Sequence, residues 1–147
     1  MDLDTSVKLS IYKMVAETTR LPSVAQVAEA LGASVEEIQA SFGRLHQKRL
    51  VVPEPNDPTR LRMAPPFSGI ETPFRFSADG KDYFANCAWD ALGIPAALHQ
   101  AGTVDASDGY NDVSIRLQVG MNGPAPEACV IHFAVPAARW WKDIVYT

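Results

Sequence analysis

The sequence predicts an α+β protein, with helices in its first third and strands in most of the remainder. Apolar residues recur at helical spacing up to about residue 48, whereas short and alternating apolar segments follow a proline-rich stretch at 64–73. A length of 147 residues with 47% apolar residues suffices for one domain or two small ones. We therefore expect a helical unit over 1–63, a linker over 64–73 and a mixed unit over 74–147.

Composition excludes several classes of protein. A charged fraction of 20% beside 47% apolar residues is not that of a disordered chain, and the net charge of −4 disfavours broad electrostatic binding to nucleic acid or anionic membranes. The N-terminus lacks the features of a signal peptide, and no apolar run approaches the ~20 residues that span a bilayer. The sequence therefore predicts a cytoplasmic protein with no membrane partner. Two cysteines, Cys87 and Cys129, are too few for a disulfide framework and are expected to be reduced.

Three helices are predicted in the N-terminal unit. An apolar stripe at i, i+4, i+7 and i+8 indicates a first helix that ends before Leu21–Pro22. A second helix begins after Ser23, a suitable N-cap, and ends at Gly32. A third follows the capping box Ser34–Glu37 and continues to about residue 48. The expected apolar faces are Val7, Ile11, Met14 and Val15 in the first helix and Val35, Ile38, Phe42 and Leu45 in the third.

A hairpin is predicted after the third helix. Leu50–Val52 and Arg60–Met63 flank the turn-rich stretch Pro53–Thr59, and the two segments are expected to pair. Helices in a helix-turn-helix arrangement followed by a hairpin indicate a winged helix over residues 5–63.

Charge argues against DNA as the main partner of this unit. Residues 1–64 contain eight Lys or Arg and eight Asp or Glu, so their net charge is zero. The third helix also opens with Glu36 and Glu37, which would repel a phosphate backbone. A contact with DNA stays open only through the basic residues within 34–62.

The C-terminal unit is expected to contain a hairpin, a short helix and three further strands. Asp79-Gly80 has the chemistry of a hairpin turn between two aromatic segments. A short helix is predicted over Cys87–Leu92, entered at Asn86 and stopped by Gly93–Pro95, and Thr103–Asp112 is predicted to be a solvated loop. The further predicted strands are Ser114–Val119, Ala128–Val135 and Asp143–Thr147.

Cys87 and Asp90 are the candidate chemical residues. Positions i and i+3 of a helix share a face, so the thiol and the carboxyl are expected in one site. A cysteine in the first turn lies near free N–H groups and the positive end of the helix dipole, which lower a thiol pKa. The alternative is structural, because free cysteine is often buried and Asp near a helix start often only compensates the dipole.

Three segments resemble the organomercurial (alkylmercury) lyase family. They are Arg62–Ser68, Thr72–Phe74 and, most specifically, Phe84–Ala96 with its Asn-Cys-Ala-Trp-Asp core. The resemblance implies a helix-turn-helix unit followed by a mixed catalytic unit, and it assigns the C-x-x-D pair of that family to Cys87 and Asp90. It implies protonolysis of carbon–mercury bonds without an organic cofactor, with a small organomercurial as substrate and external thiols releasing the product.

The chemistry of mercury fits these residue types. Mercury is a soft metal that prefers thiolate ligands, and a nearby carboxylic acid can protonate the carbon as the C–Hg bond breaks. The alternatives are a mercury- or thiol-reactive binding protein or transcriptional regulator on the same fold without turnover, and a structural relative without metal chemistry.

The family pattern also requires a second cysteine from a later strand. The resemblance places it after Trp140–Thr147, which predicts a chain truncated at its C-terminus. Cys129 lies earlier, in a segment whose alternation predicts a strand. We expect Cys129 to be a core thiol, with a role as substitute mercury ligand as the alternative.

Overall fold

A computed structural model describes residues 1–145 of the chain. The N-terminal half contains three helices and a small sheet, and the C-terminal half contains a larger sheet, one α-helix and a 3₁₀ helix. None of the helices in the described range is long and apolar enough to cross a membrane. The first half consists of α1 (Leu3–Thr18), α2 (Val24–Leu31), α3 (Val35–Gln47), β1 (Val52–Glu54), β2 (Asp57–Ala64) and β3 (Phe67–Ser68). The second half consists of β4 (Arg75–Ala78), β5 (Lys81–Phe84), α4 (Ala88–Leu98), β6 (Gly102–Ser107), β7 (Ser114–Gly120), β8 (Gly123–Ala125) and a 3₁₀ helix (Ala137–Lys142).

The three predicted N-terminal helices are confirmed, together with the N-caps predicted for the second and third. Ser23 and Ser34 are the N-caps of α2 and α3, and each helix carries a complete capping box. Gly32 ends α2 in a left-handed conformation, which glycine adopts without steric cost. The prediction was wrong for Val35, which is 44% exposed, because the first turn of α3 extends beyond the packed face.

The proline-rich stretch contributes an edge strand to the first sheet. The sheet has the order β1-β2-β3 and is antiparallel. Within the predicted linker, Phe67–Ser68 pairs with the end of β2, and both residues are buried. Pro65 and Pro66 occupy the turn before β3, where their missing N–H groups interrupt no ladder.

The second sheet has the order β5-β4-β6-β7-β8 and is antiparallel throughout. The predicted hairpin is confirmed, because β4 and β5 are joined through Asp79-Gly80, both at positive φ. The predicted strand at 114–119 is confirmed as β7. By contrast, the loop prediction was wrong for 103–107, which belong to β6. Its outward polar residue Asp105 is satisfied by ion pairs to Arg75 and Arg116 rather than by solvent alone.

The helix predicted at Cys87–Leu92 has different bounds. Cys87 is the N-cap rather than a first-turn residue, and α4 continues through Gly93–Pro95 to Leu98. Pro95 removes one helical hydrogen bond, but Ile94 and Pro95 are both buried where α4 packs on β4 and β6. Tertiary packing therefore overrides the local stop signal.

Two predicted C-terminal strands are absent from the described residues. Residues 128–135 are irregular and largely exposed. In the described sheet β8 is the edge strand and pairs with β7 alone, so residues 128–135 add no further strand to it. Asp143–Val145 form a bend and turn after the 3₁₀ helix, and the last two residues of that predicted strand lie outside the described residues.

Helix α1 belongs to both apolar cores of the molecule. Val7 and Ile11 pack with α2, α3 and the first sheet, whereas Val15, one turn later, packs with the second sheet and α4. Its carbonyl at Ala16 also accepts hydrogen bonds from Lys81 and Tyr83 of β5, at 3.2 and 2.8 Å. The helix therefore fixes the second sheet against the N-terminal helices.

The start of β6 lacks room for any side chain at Gly102. A Cβ there would overlap the Ser77 carbonyl oxygen and lie 2.6 Å from the Phe76 ring. Gly102→Ala is expected to lower the free energy of unfolding by roughly 1–3 kcal/mol, the usual effect of overpacking, measured by urea denaturation. Gly120→Ala, at the end of β7 with open space around its Cβ position, is the matched control. Equal stability of the two variants would contradict this packing.

Candidate functional site

The candidate site lies where β5 ends and α4 begins. Cys87 is half-buried and has extended backbone geometry at the N-cap, while Asp90 lies in the first turn of α4. The Cys87 side chain makes no capping hydrogen bond, but the backbone N–H groups of Asp90 and Trp89 at the start of α4 favour its thiolate form. The structure therefore brings the predicted thiol and carboxyl together at one helix N-terminus.

Asn86 connects the Asp90 carboxyl to the first sheet. Its Nδ2 donates to Asp90 Oδ2 at 2.9 Å and to the backbone carbonyl oxygen of Phe67 at 3.3 Å. Asn86 Oδ1 is buried and has no hydrogen-bond partner among the described residues. The sequence indicated Asn86 only as an N-cap. The hydrogen bond from Asn86 to Asp90 depends on the Phe67 carbonyl of β3, whose position beside Asn86 the sequence does not reveal.

Tyr12 of α1 reaches the same region from the N-terminal helices. Its hydroxyl donates to the Pro65 carbonyl oxygen at 2.8 Å, and its ring lies 6.3 Å from that of Phe67. Burial, and secondly the nearby Asp90 carboxylate, raise the pKa of Tyr12. Pro66 lies beside α4, since a Cβ added at Gly93 would be 3.3 Å from the Pro66 side chain. The neighbourhood of Asp90 is thus built from both halves of the chain.

Burial controls the protonation of both candidate residues. It raises the pKa of the Asp90 carboxyl, although the Asn86 hydrogen bond lowers it, so the neutral acid persists to higher pH than in a free side chain. Burial also raises the pKa of the Cys87 thiol, and the charge of Asp90 adds to that effect. The expectation of a lowered Cys87 pKa was therefore wrong, because desolvation outweighs the helix N–H groups.

Cys129 is exposed, so the expectation that it is a core thiol was wrong. It belongs to the irregular segment after β8, which no strand covers in the described range. Phe133, four residues later, lies with its ring 6.4 Å from that of Trp89 and 5.1 Å from that of Trp140. The segment that contains Cys129 is thereby held against the start of α4.

Among residues 1–145, no group of three or more His, Cys, Asp or Glu residues is arranged to hold a metal ion. The arrangement is therefore a pair, one thiol and one half-buried carboxyl, rather than a closed metal centre. Such a pair can bind a soft electrophile on sulfur and supply a proton beside it.

Comparison with known proteins identifies the family of this chain. A family model described as MerB, alkylmercury lyase, matches residues 67–147, which is more than half of the chain and includes Cys87 and Asp90. The chain therefore belongs to the alkylmercury lyase family.

The fold is also found among solved structures. The chain is similar to one described as the mercury-bound form of MerB2, with a TM-score of 0.67 and 18% sequence identity over 85% of this chain. The match covers 59% of that protein, so the chain spans less than two thirds of its length. The α+β architecture is shared with that structure, and no curated protein matches the chain.

Exposure and pKa together predict the order of thiol reactivity. At pH 7.5 Cys129 is expected to react with a maleimide or disulfide reagent before Cys87, because Cys87 is half-buried and its pKa is raised. The rate at Cys87 should continue to rise above the ordinary thiol pKa of ~8.5. The measurement uses single-thiol proteins, Cys87→Ser and Cys129→Ser, labelled between pH 6 and 10. A Cys87 rate that reaches its plateau below pH 8 would contradict the burial described here.

Proposed function

We propose that this protein cleaves carbon–mercury bonds by protonolysis, with Cys87 as the mercury-binding thiolate and Asp90 as the proton donor. The observation that carries the proposal is the pairing of a thiol and a half-buried carboxyl at the start of α4, within the segment that matches the family. The substrate is a small organomercurial, and no organic cofactor takes part.

The reaction begins at sulfur. The Cys87 thiol loses its proton to the group that leaves mercury, and a sulfur–mercury bond forms while the organic group stays on the metal. Mercury binds thiolates strongly enough to displace this proton even from a thiol whose pKa burial has raised. The backbone N–H groups of Trp89 and Asp90 stabilise the negative charge on sulfur as the proton leaves.

Asp90 then supplies the proton. Its raised pKa keeps a larger fraction of the carboxyl protonated at neutral pH than in an exposed Asp. The proton passes to the substrate carbon, the electron pair of the C–Hg bond becomes the C–H bond, and Asp90 is left as a carboxylate. The products are a hydrocarbon and Hg(II) held on sulfur, which external thiols remove.

Cys129 is the second sulfur donor in this proposal. The exposed Cys129 thiol releases its proton to solvent as it binds, and the second thiolate raises electron density on mercury and weakens the C–Hg bond. Cys129 is exposed, and its segment is held at the start of α4 through the Phe133 and Trp89 rings, which supports an approach to mercury bound on Cys87.

Three expectations from the sequence stay predictions within this proposal. They are a winged helix over residues 5–63, weak or absent DNA binding with 34–62 as the one possible route of contact, and a cytoplasmic location. The three helices and the following hairpin support the first of these. A protein that bound mercury without turnover would instead support the regulator or binding-protein alternative.

Asp90→Asn keeps the shape of the side chain and removes its transferable proton. Phenylmercury cleavage under excess thiol is expected to fall by roughly 10²–10⁴, the usual contribution of a positioned acid, while Hg(II) binding is retained. Benzene release measured by gas chromatography gives the rate, and calorimetry gives the binding. Asp112→Asn, on an exposed residue, is the matched control and should cleave like the wild type.

Two results would contradict the proposed role of Asp90. Equal loss of binding and cleavage would make Asp90 a structural residue of the helix start. Absence of cleavage by the wild type, with mercury binding intact, would favour the binding-protein alternative.

Cys129→Ser tests the second sulfur donor. The variant is expected to bind one equivalent of phenylmercury on Cys87 and to cleave it at least tenfold more slowly, because mercury then carries one protein thiolate. Ser107→Ala, at the half-buried last residue of β6, controls for a change in side chain outside the site. Wild-type cleavage rates in Cys129→Ser would exclude Cys129 as a ligand. Cys87→Ser, in comparison, should lose both binding and cleavage.

A further inference from the structure

We propose that Asn86 is a positioning residue, which holds Oδ2 of Asp90 as a hydrogen-bond acceptor and so assigns proton delivery to Oδ1. The inference rests on the proposed function for its catalytic consequence, but the positioning itself is a property of the free protein. It adds to the site a residue whose side chain touches neither sulfur nor the reacting carbon in the proposed reaction.

The orientation of the Asn86 amide follows from its neighbour Phe67. The backbone carbonyl of Phe67 can only accept a hydrogen bond, so the atom that faces it at 3.3 Å is the amide nitrogen. The same nitrogen lies 2.9 Å from Asp90 Oδ2. Because Nδ2 carries two hydrogens, it can donate to both oxygens, and rotating the amide by 180° would place two acceptors against each other.

The location of the Asp90 proton follows from this orientation. An oxygen that accepts an N–H hydrogen bond uses a lone pair for it, whereas the hydroxyl oxygen of a neutral carboxylic acid is a poor acceptor. When Asp90 is protonated, its proton therefore lies on Oδ1. After the proton leaves, the same N–H group stabilises the carboxylate through Oδ2, so the contact is kept on both sides of the transfer.

The Asn86 side chain is anchored firmly enough to orient a neighbour. The preceding residue, Ala85, is fully buried, and its N–H donates to the Phe74 carbonyl oxygen at 2.9 Å while its own carbonyl accepts from Thr72 Oγ1. Ala85 also pairs with Phe67, the residue whose carbonyl holds the amide. The Asn86 backbone and its carbonyl partner thus belong to the same set of strand contacts.

The other amide atom shows the cost of this arrangement. Asn86 Oδ1 is buried without a hydrogen-bond partner in the described part of the chain, which is unfavourable for a polar atom. An apolar residue would avoid that cost, but it could not donate to Asp90. In the proposed reaction the bonded Nδ2 atom positions Asp90, which accounts for an Asn side chain here although its Oδ1 atom has no partner.

The test separates positioning from catalysis by measuring the side-chain angle of Asp90 directly. Three-bond couplings from the Asp90 Cγ to its backbone N and carbonyl carbon report whether χ1 is fixed. We expect one rotamer in the wild type and rotamer averaging in Asn86→Ala. We also expect single-turnover phenylmercury cleavage to fall about 10–100-fold, with Hg(II) affinity unchanged. Asn111→Ala, on an exposed loop, is the matched control and should change neither quantity.

A second measurement needs no variant of Asn86. In the wild type, the Asn86 side-chain amide protons should exchange with solvent more slowly than those of Asn111, and Asp90→Ala should accelerate that exchange. If Asn86→Ala does not fold, these exchange rates decide the proposal. If the proposed function is wrong but the positioning is right, the wild type will not cleave phenylmercury, while the Asp90 couplings and the Asn86 amide exchange will be as expected.

Two outcomes would overturn the inference. Unchanged Asp90 couplings in folded Asn86→Ala would mean that the helix alone fixes the carboxyl. Averaged couplings with wild-type cleavage would mean that the orientation of Asp90 does not matter for proton delivery.

Discussion

The whole arrangement depends on α1, which is packed into two apolar cores at once. Val7 and Ile11 are fully buried among the N-terminal helices, whereas Val15 is buried against the second sheet. One rigid helix that belongs to both cores fixes the distance between them, because close-packed interiors do not stretch. Tyr12 lies between the two sets of contacts and brings α1 to the Pro65 carbonyl beside the site. The first half of the chain is therefore part of the environment of Asp90, although the family match begins only at residue 67.

Burial at this junction has opposite consequences for the two reacting groups. It raises the pKa of the Asp90 carboxyl, which favours the proposed proton donor, but it also disfavours the Cys87 thiolate, which the proposed mercury ligand requires. In the proposed reaction mercury itself replaces the thiol proton, so a raised pKa of Cys87 does not prevent binding, whereas a raised pKa of Asp90 favours proton donation. An acid that must be neutral and a thiol that metal binding deprotonates can therefore share one half-buried helix start.

The two cysteines differ in how firmly the structure holds them. Cys87 is held on a helix whose geometry is fixed by both sheets, whereas Cys129 lies in an irregular, exposed segment that is tethered through aromatic contacts around Phe133. A ligand on an irregular segment can adjust to mercury bound at a fixed thiolate more easily than a ligand in a strand. The exposed Trp89 ring, two residues after Cys87, links these parts of the molecule.

The sequence by itself determined the N-terminal helices, the hairpin at Asp79-Gly80 and the pairing of Cys87 with Asp90, because each depends on neighbours within a few residues. Capping boxes, turn glycines and i, i+3 spacing are local rules, and they hold wherever the segment packs. Only the tertiary structure decided that α4 continues through Pro95, that residues 103–107 form a strand and 128–135 do not, and that burial reverses the expected shift of the Cys87 pKa. Each of these depends on which distant segment supplies a partner, a covering surface or a desolvated environment, and no local pattern encodes that.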